Sequence, residues 1–378
     1  MVATHVLPLQ ADDGSRTWTA VLFDGRASAR VAVLAGVTLA LASGGARPVT
    51  GRDRAGVAAG LAVRAALIAA LGLALGLLDS GVAVILTYYG VLFCLGLPFL
   101  ALRAPALLAT AAAWAVAAPV LSHVVRPDLP PRGYDNPTFG QLRDDPGGLL
   151  AELTFTGYYP VVPWLAYLLL GMAIGRLDLR RIGTAARVAI AGFAMTVLAP
   201  VASTWLTGRP GIRADLRQAV DAATTPGLIP GDLRRSLEQG LYGATPTDTW
   251  AWLAVANPHT ATPLDLVRTG GSALLVIGLA LVATRLAPRV WQVVFGAGAM
   301  TLTLYSLHVV LLGRGVWTGE SLDPGEDYLR QIGLLLALGA VAGAARRRGP
   351  LEAVVAVAGR TTRRLVTPGR ERAPLSPR

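Results

Sequence analysis

The sequence predicts an all-α fold, a polytopic transmembrane helical bundle with nine complete spans and a truncated first helix. Hydrophobic residues make up 53% of its 378 residues and charged residues only 15%, whereas about a quarter of a soluble domain is charged. The apolar residues also occur in long blocks, many close to the roughly 20 residues that a helix needs to cross a bilayer. Composition and block length together therefore predict helices that span a membrane.

Nine blocks are complete, and one fragment precedes them. The complete spans are predicted at 27–45, 57–78, 82–101, 106–125, 158–175, 186–206, 267–285, 290–312 and 328–345. Residues 1–10, MVATHVLPLQ, are too short to cross a bilayer, and they lack the basic start and long apolar run of a signal peptide. We interpret them as the outer end of a further helix.

The arginines predict the orientation of the bundle. All 34 basic residues are arginine, and many of them lie in the gaps after the first, third, fifth and seventh complete spans and at the start of the C-terminal tail. Cytoplasmic loops carry an excess of basic residues, so these gaps are predicted to be cytoplasmic. The sequence thus predicts a multi-pass protein of a bacterial-type plasma membrane with a cytoplasmic C-terminus. The arginines in question are Arg47, Arg52, Arg54, Arg103, Arg176, Arg180, Arg181, Arg285, Arg289 and Arg346 to Arg348.

The chain is predicted to form a single transmembrane domain over residues 1–360. Two longer segments, 126–157 and 207–266, are predicted to be extracytoplasmic loops. The second contains short amphipathic stretches at 213–222 and 231–240 together with Trp, Leu and Pro residues, which indicates an ordered cap on the membrane. Residues 361–378 are rich in Arg and Pro, and they are predicted to be a disordered cytoplasmic tail.

Several classes of function are disfavoured. The net charge is +11, but no basic stripe interleaved with aromatic residues is found, so no nucleic-acid partner is predicted. The single cysteine, Cys94, excludes an intrachain disulfide and a cysteine-based metal cluster. No metal site is predicted. The predicted spans hold no Asp or Glu at depth, and this absence argues against an ion-coupled transporter.

Histidines are the strongest candidates for chemistry. His5, His123, His259 and His308 all map to the predicted extracytoplasmic half of the protein, and histidine serves as a general base near neutral pH. The structural alternatives are a hydrogen bond between helices for His308, a turn cap for His259 and an interfacial position for His123. We take His5, His308 and His259 as candidate catalytic residues.

Arg64 is the candidate for binding an anionic group. It lies about a third of the way into the second span from the predicted cytoplasmic side, where a charge is costly unless it is paired or faces a polar cavity. An anion entering from the cytoplasm would supply that partner. The alternative is that the side chain reaches the lipid headgroups. The Gly171–Gly175 spacing in a later span predicts close packing of two helices.

Seven stretches, in this order, resemble actinobacterial proteins of the heparan-alpha-glucosaminide N-acetyltransferase-like group, which overlaps the YeiB-like family of unknown function. The resemblance covers the chain from Val2 to about Val357. The stretches are ATHVLP, TWTAVLFDGRASARVAVLAGVTLAL, ILTYYGVLFCLGLP, TGYYPVVPWLAYLLLGMAIGRLDL, PHTATPLDLVRTGGSALLVIGLALV, GAMTLTLYSLHVV and RRGPLEAVV.

The resemblance implies a membrane-bound acetyltransferase. Such enzymes take acetyl from cytoplasmic acetyl-CoA and pass it to a sugar hydroxyl or amine on the far side. A histidine at the outer end of the first helix is the expected catalytic residue, and His5 matches that place; Arg64 would then help to hold the phosphates of coenzyme A. The histidine that precedes a Trp in the lysosomal-type enzyme has no counterpart in DDGSRTW. Members also begin with a half-helix ahead of the Met1–His5 segment. The resemblance leaves two alternatives: this part precedes Met1, which we favour, or the protein has lost it.

Two alternatives remain open: a transporter or flippase of a small or lipid-linked substrate, and a non-catalytic membrane protein. The partners expected are the lipid bilayer and an extracytoplasmic acceptor, either a glycan or a lipid-linked molecule. A homo-oligomer is compatible with the sequence, which does not decide the oligomeric state.

Overall fold

The computed structural model describes residues 1–133, 135–223, 228–286, 291, 296–313, 323–345 and 347–367. Within these ranges the backbone is mainly helical, and the strand-like pairing seen is one isolated bridge between Gln10 and Arg16. The predicted all-α membrane bundle is confirmed.

The α-helices are labelled here in chain order. They are α1 (Val2–Val6), α2 (Trp18–Phe23), α3 (Arg26–Ala42), α4 (Gly51–Leu75), α5 (Leu86–Gly96), α6 (Ala104–Val125), α7 (Phe139–Asp144), α8 (Pro146–Ala151), α9 (Val161–Gly175), α10 (Ile182–Thr207), α11 (Pro210–Asp221), α12 (Leu233–Glu238), α13 (Pro263–Leu286), α14 (Thr301–Gly313), α15 (Pro324–Ala344) and α16 (Pro350–Val366). Short 3₁₀ turns occupy Leu97–Ala101, Arg126–Asp128, Trp250–Ala254 and Gly296–Met300, and a π-helical turn spans Glu152–Thr156.

Fewer of the described helices are long and apolar enough to cross a membrane than the nine spans predicted. Five qualify, and a sixth span forms if α8 with its π turn and α9, which are bent by 53°, are taken together. The predicted spans at 82–101, 290–312 and 328–345 correspond instead to shorter or more polar helices. Residues 290 and 292–295 of the second of these lie outside the described part. The five are Trp18–Ala42, Gly51–Leu75, Ala104–Asp128, Ile182–Thr207 and Pro263–Arg285.

The start of the predicted span at 82–101 is not helical, because a side chain satisfies its backbone instead. The amide of Asn136 accepts a hydrogen bond from Val84 N at 2.7 Å and donates to Val82 O at 2.9 Å. The hydroxyl of Tyr305 accepts one from Ile85 N at 3.1 Å. Irregular backbone inside a membrane protein needs such partners. These contacts explain why α5 begins only at Leu86.

Helices α3 and α9 pack at van der Waals distance along a seam of small residues. A methyl group added at Gly171 would lie 1.9 Å from the carbonyl oxygen of Val33, and one at Gly175 would lie 2.7 Å from Cβ of Ala40. Glycine is therefore required at Gly171, where backbone meets backbone. The predicted role of the Gly171–Gly175 spacing in close packing is confirmed.

Arg176, at the end of α9, links that helix to the ends of α3 and of the turn that follows α5 through hydrogen bonds. Its side chain is buried, with 4% of the residue exposed. It donates to the Ser43 hydroxyl at 2.9 Å and to backbone carbonyls at the ends of α3 and of the turn that follows α5. The carbonyl acceptors are Ala40, Ser43, Gly45, Leu100 and Leu102. Since the last carbonyls of a helix lack partners within it, one guanidinium supplies donors to two helix ends.

Glu352 caps α14, the helix that carries His308. One carboxylate oxygen accepts from Leu302 N at 2.6 Å and Thr303 N at 3.1 Å, and the other accepts from the Thr303 hydroxyl at 2.6 Å. A carboxylate at a helix N-terminus satisfies free N–H groups and favours the helix dipole. The Gly-Pro-Leu-Glu stretch thus ties α16 to the start of α14.

Residues 207–223 and 228–266 form an ordered cap with its own small core. The two predicted amphipathic stretches are α11 and α12, and Leu216, Val220, Leu241 and Trp252 pack together beneath them. His123, near the end of α6, stacks against Trp250 of the cap with ring centroids 4.4 Å apart. This contact gives His123 a packing role.

Two sequence-based expectations are corrected. Helix α16 continues to Val366, beyond the predicted start of a disordered tail at 361, because Gly359 lies against Gly60 and Arg64 of α4. Residues 368–378 of that tail, together with Arg289 and Arg346, lie outside the described part.

The predicted spans hold no Asp or Glu at depth, but the helices begin several residues earlier than predicted. Asp265 and Asp327 therefore lie in the first turns of α13 and α15, where they are 3% and 4% exposed. Asp24 lies within the span Trp18–Ala42, with 13% of its side chain exposed.

Candidate active site

His5 and His308 are hydrogen-bonded to each other. Nδ1 of His5 lies 2.9 Å from Nε2 of His308, and the two rings meet edge to edge, with centroids 5.2 Å apart and planes only 7° apart. His5 comes from the short helix α1 and His308 from the middle of α14, residues 303 positions apart in the chain. The fold thus brings two of the three predicted catalytic histidines into direct contact.

The hydrogen-bonded chain continues from His308 into α15. Nδ1 of His308 lies 2.8 Å from Oε1 of Gln331, and Nε2 of Gln331 donates to both carboxylate oxygens of Asp327 at 3.1 Å. His308 and Gln331 are each 1% exposed. Buried polar groups without partners are costly, and here each partner is another side chain. We call these four residues, His5, His308, Gln331 and Asp327, the histidine chain.

His259 lies at a second position, paired with Asp24. Its Nε2 is 3.6 Å from Oδ1 of Asp24, and the other oxygen of Asp24 accepts from Arg16 at 3.0 Å. The ring of Tyr158 packs against the imidazole with centroids 4.7 Å apart. Asp24 is therefore held between a fixed positive charge and a histidine.

The backbone around His259 is strained. His259 and Ala261 have φ values of 56° and 51°, a left-handed conformation that costs a residue with a Cβ atom about 1–2 kcal/mol. The Asp265 carboxylate holds this turn by accepting from the N–H groups of Thr260 at 3.2 Å and Ala261 at 3.1 Å. Retained strain of this kind is typical of functional sites, and here it directs His259 toward Asp24.

Burial lowers the pKa of His259 below its ordinary value of 6.5. Asp24 acts in the opposite direction and raises that pKa, while Arg132 lowers it further. Because desolvation is the largest cause, the imidazole is neutral at neutral pH. A neutral His259 can accept a proton.

A cavity of about 220 Å³ brings His5 and the His259–Asp24 pair to one space. Tyr158, Tyr159 and Tyr242 line the same space. The approach of the two walls depends on Gly25, which has φ +68° and whose added methyl group would lie 3.0 Å from Cβ of Pro258. We call this space the smaller cavity.

A second cavity, of about 540 Å³, connects Arg64 with His308. Its walls are mainly apolar side chains of α3, α4, α5, α14 and α15, and Met1 lines both this cavity and the smaller one. Arg348 and Arg360 bring two further positive charges within electrostatic range of Arg64. We call this space the larger cavity. It joins a cationic end to the histidine chain through an apolar passage.

The structure therefore groups all four predicted site residues around two adjoining cavities: His5 and His259 line the smaller, His308 and Arg64 the larger. Three residues were missed by the sequence analysis. Asp24 and Asp327 fell just outside the predicted spans, and Gln331 carries no charge to draw attention. Polar residues one helical turn apart at the start of an apolar helix, as Asp327 and Gln331 are, were the available signal.

Within the described ranges, no group of three or more His, Cys, Asp or Glu side chains is arranged to hold a metal ion. The chemistry of these residues is that of acid–base groups: the His5–His308 pair, which Gln331 and Asp327 support, and the His259–Asp24 pair, both at a cavity wall.

Comparison with known families matches residues 9–208 to the model of heparan-alpha-glucosaminide N-acetyltransferase, catalytic. No curated protein matches the chain, and no solved structure matches it. The matched range covers more than half of the 378 residues and contains Asp24 and Arg64, whereas His5, His259 and His308 lie outside it. Members are transmembrane acetyltransferases that use acetyl-CoA as donor. The chain, a multi-pass membrane protein, belongs to the heparan-alpha-glucosaminide N-acetyltransferase catalytic-domain family.

Proposed function

We propose that this protein transfers acetyl from cytoplasmic acetyl-CoA to a hydroxyl or amine of an acceptor on the extracytoplasmic side of the plasma membrane. The observation that carries the proposal is the hydrogen bond between His5 and His308, because each histidine lines a different cavity. Two substrates that approach from opposite sides would meet at this pair.

The larger cavity suits the donor. Arg64, with Arg348 and Arg360 nearby, offers guanidinium groups to the phosphates of coenzyme A, which arginine binds well. The apolar walls between Arg64 and His308 fit the extended arm that carries the thioester. The acetyl carbonyl would then lie beside the histidine pair.

The smaller cavity suits the acceptor. An acceptor hydroxyl or amine in this cavity would lose its proton to His5 as it attacks the acetyl carbonyl. A carbon–oxygen or carbon–nitrogen bond forms, the carbon–sulfur bond breaks, and the proton passes to the departing thiolate to give free coenzyme A. His259, which is neutral and faces Asp24, would orient the acceptor or assist in the proton transfer.

The family name points to a glucosaminide, and we propose an acceptor of that class. A sugar amine or hydroxyl agrees with the aromatic and polar lining of the smaller cavity, where Tyr158, Tyr159 and Tyr242 lie beside Asp24. Tyrosine rings offer flat apolar faces and hydroxyl groups together. A glycan or lipid-linked sugar reaching this cavity from the cap side is the proposed physiological form.

The test measures acetyl transfer by the purified protein in detergent, with radiolabelled acetyl-CoA and D-glucosamine or D-glucose as acceptor probes. We expect labelled product and free coenzyme A with the wild type, and no product above background with His5→Ala. The matched control is His123→Gln, a buried histidine outside both cavities, which should keep the activity. A wild type that neither binds acetyl-CoA nor releases coenzyme A with any acceptor would contradict the proposal.

A second candidate, transport of a small or lipid-linked substrate, gains support from one observation. Asp24, Glu152 and Asp327, which lie outside the predicted spans, are largely or fully buried, and buried carboxylates in a membrane protein often mark ion pathways. Each has protein partners, however: Arg16 for Asp24, Tyr88 and Gln141 for Glu152, and Gln331 for Asp327. Movement of glucosamine across vesicles without acetylation would favour the transporter.

A further inference from the structure

We infer that Gln331 and Asp327 are positioning residues that fix the tautomers of both hydrogen-bonded histidines, so that His5 presents a bare Nε2 to the smaller cavity. The inference rests on the proposed acetyl transfer for its catalytic meaning. The hydrogen bonds themselves are geometry that can be tested separately.

The first step concerns the amide of Gln331. An ionised carboxylate only accepts hydrogen bonds, and both oxygens of Asp327 lie 3.1 Å from Nε2 of Gln331. Turning the amide over would set its oxygen against the carboxylate and its NH₂ group against His308. Asp327 therefore fixes which end of the Gln331 amide faces the histidine.

The second step concerns His308. Oε1 of Gln331 can only accept, so Nδ1 of His308 at 2.8 Å must carry the hydrogen. A neutral imidazole then has a lone pair on Nε2, which is the atom 2.9 Å from His5. His308 thus acts as the acceptor in the contact between the histidines.

The third step concerns His5. Because Nε2 of His308 accepts, Nδ1 of His5 donates, and Nε2 of a neutral His5 is left without hydrogen. No partner of that atom is seen among the described residues, and His5 lines the smaller cavity. The bare nitrogen is the one required of a general base. In the opposite tautomer, Nε2 of His5 carries a hydrogen. That atom would direct an N–H group at the acceptor and could not take up the acceptor's proton.

The order of donors and acceptors along the histidine chain, rather than the identity of each side chain, thus determines the base. An exchange of the two end groups should preserve this order. In the double variant Asp327→Asn/Gln331→Glu, the Asn amide donates to the new carboxylate, and that carboxylate accepts from Nδ1 of His308. The exchange conserves both the net charge and the number of amide and carboxylate groups.

The experiment compares kcat and KM for acetyl transfer among the wild type, Asp327→Asn and the double variant. In Asp327→Asn the Gln331 amide can turn over, and we expect kcat to fall about 10²-fold or more with little change in KM, since general-base contributions are about 10²–10⁴-fold. The double variant should recover to within about tenfold of the wild type, because the exchange restores the acceptor at Nδ1 of His308. Asp178→Asn, an exposed carboxylate elsewhere, controls for the lost charge.

A second readout does not depend on activity. Nitrogen-15 NMR of histidine-labelled protein distinguishes protonated from bare ring nitrogens, and His308→Gln assigns the signals. We expect hydrogen on Nδ1 and none on Nε2 for His308 in the wild type and the double variant, and a mixture in Asp327→Asn. The opposite tautomer in the wild type, or an active wild type whose kcat is unchanged by Asp327→Asn, overturns the inference. Absence of transfer by the wild type overturns the proposed function instead, and the NMR result still decides the tautomer.

Discussion

Arg176 and His308 are both buried polar side chains, 4% and 1% exposed, yet they bond to different kinds of partner. Arg176 donates to five backbone carbonyls and the Ser43 hydroxyl at the ends of two helices. Among the described residues, the ring nitrogens of His308 hydrogen-bond to side chains, His5 on one side and Gln331 on the other. Bonds to backbone fix where helices end, whereas a chain of side chains that reaches a cavity can carry protons. The first arrangement predicts a stabilising role and the second a catalytic one.

Of the substitutions that test this comparison, replacing His5 should have the largest effect on activity. His5→Ala removes the proposed base, so kcat for acetyl transfer should fall about 10²–10⁴-fold. The unfolding temperature in detergent should fall less than in Arg176→Met, because His5 lies on a five-residue helix and its loss removes a single side-chain hydrogen bond. Initial rates and thermal unfolding on one preparation check both halves of this expectation. A parallel loss of stability and activity would place His5 with Arg176 as a structural residue.

Replacing Arg176 should produce the reverse pattern, with a smaller effect on kcat and a large one on stability. Arg176→Met leaves buried carbonyls without donors, each at a cost of about 1–3 kcal/mol, and we expect a total loss above about 3 kcal/mol in the free energy of unfolding. Arg180→Met, an exposed neighbour, is the control. Thermal unfolding and expression level measure the effect, and an unchanged melting temperature would refute the structural role of Arg176.

Replacing Arg64 should affect the binding of the donor rather than the catalytic step. Arg64→Gln should raise KM for acetyl-CoA about tenfold or more and leave kcat nearly unchanged, since a hydrogen bond to a charged group contributes about 1.5–3 kcal/mol. Arg54→Gln, on the same helix but exposed, provides the matched control. Equal KM values for the two variants would mean that Arg64 reaches lipid headgroups rather than the donor.

The smallest expected effect is the contribution of His259 to the pH dependence of folding stability. Burial lowers the pKa of His259 in the folded protein. At pH values between this lowered pKa and the unfolded-state pKa of about 6.5, the unfolded chain therefore binds more protons than the folded protein does. Stability therefore rises with pH through this window and is lost as pH falls below about 6.5. The melting temperature of the wild type should drop from pH 7.5 to pH 5.5 more than that of His259→Gln. Equal drops would show that His259 is not buried in its neutral form.

Much of the site could be predicted from the sequence, because a polar residue in an apolar span is conspicuous. His308 within LYSLHVV and Arg64 within its span were visible for this reason, and the family resemblance strengthened the choice of His5. The contact between His5 and His308 could not be predicted, since 303 positions separate them and only the packing of α1 against α15 and α14 brings them together.

The errors in the predicted starts of the spans have a common cause. Helices were assumed to begin where apolar residues begin, although a capped helix starts one or two turns earlier, as α15 does at Pro324 after the Asp323 cap. For that reason, Asp327 and Asp24 were not among the site residues predicted from the sequence. The burial of Arg176 was not predicted either, because hydropathy does not show that a guanidinium can be buried against helix carbonyls.

Acetyl transfer across a sealed membrane tests the central claim most directly. Proteoliposomes would contain D-glucosamine inside and receive radiolabelled acetyl-CoA outside, with wild type, His5→Ala and His123→Gln compared at equal protein content. The two-cavity arrangement predicts labelled acetylglucosamine inside the vesicles for the wild type and His123→Gln, and none for His5→Ala. Label that forms only when both substrates are on the same side, or that forms equally with His5→Ala, would contradict it.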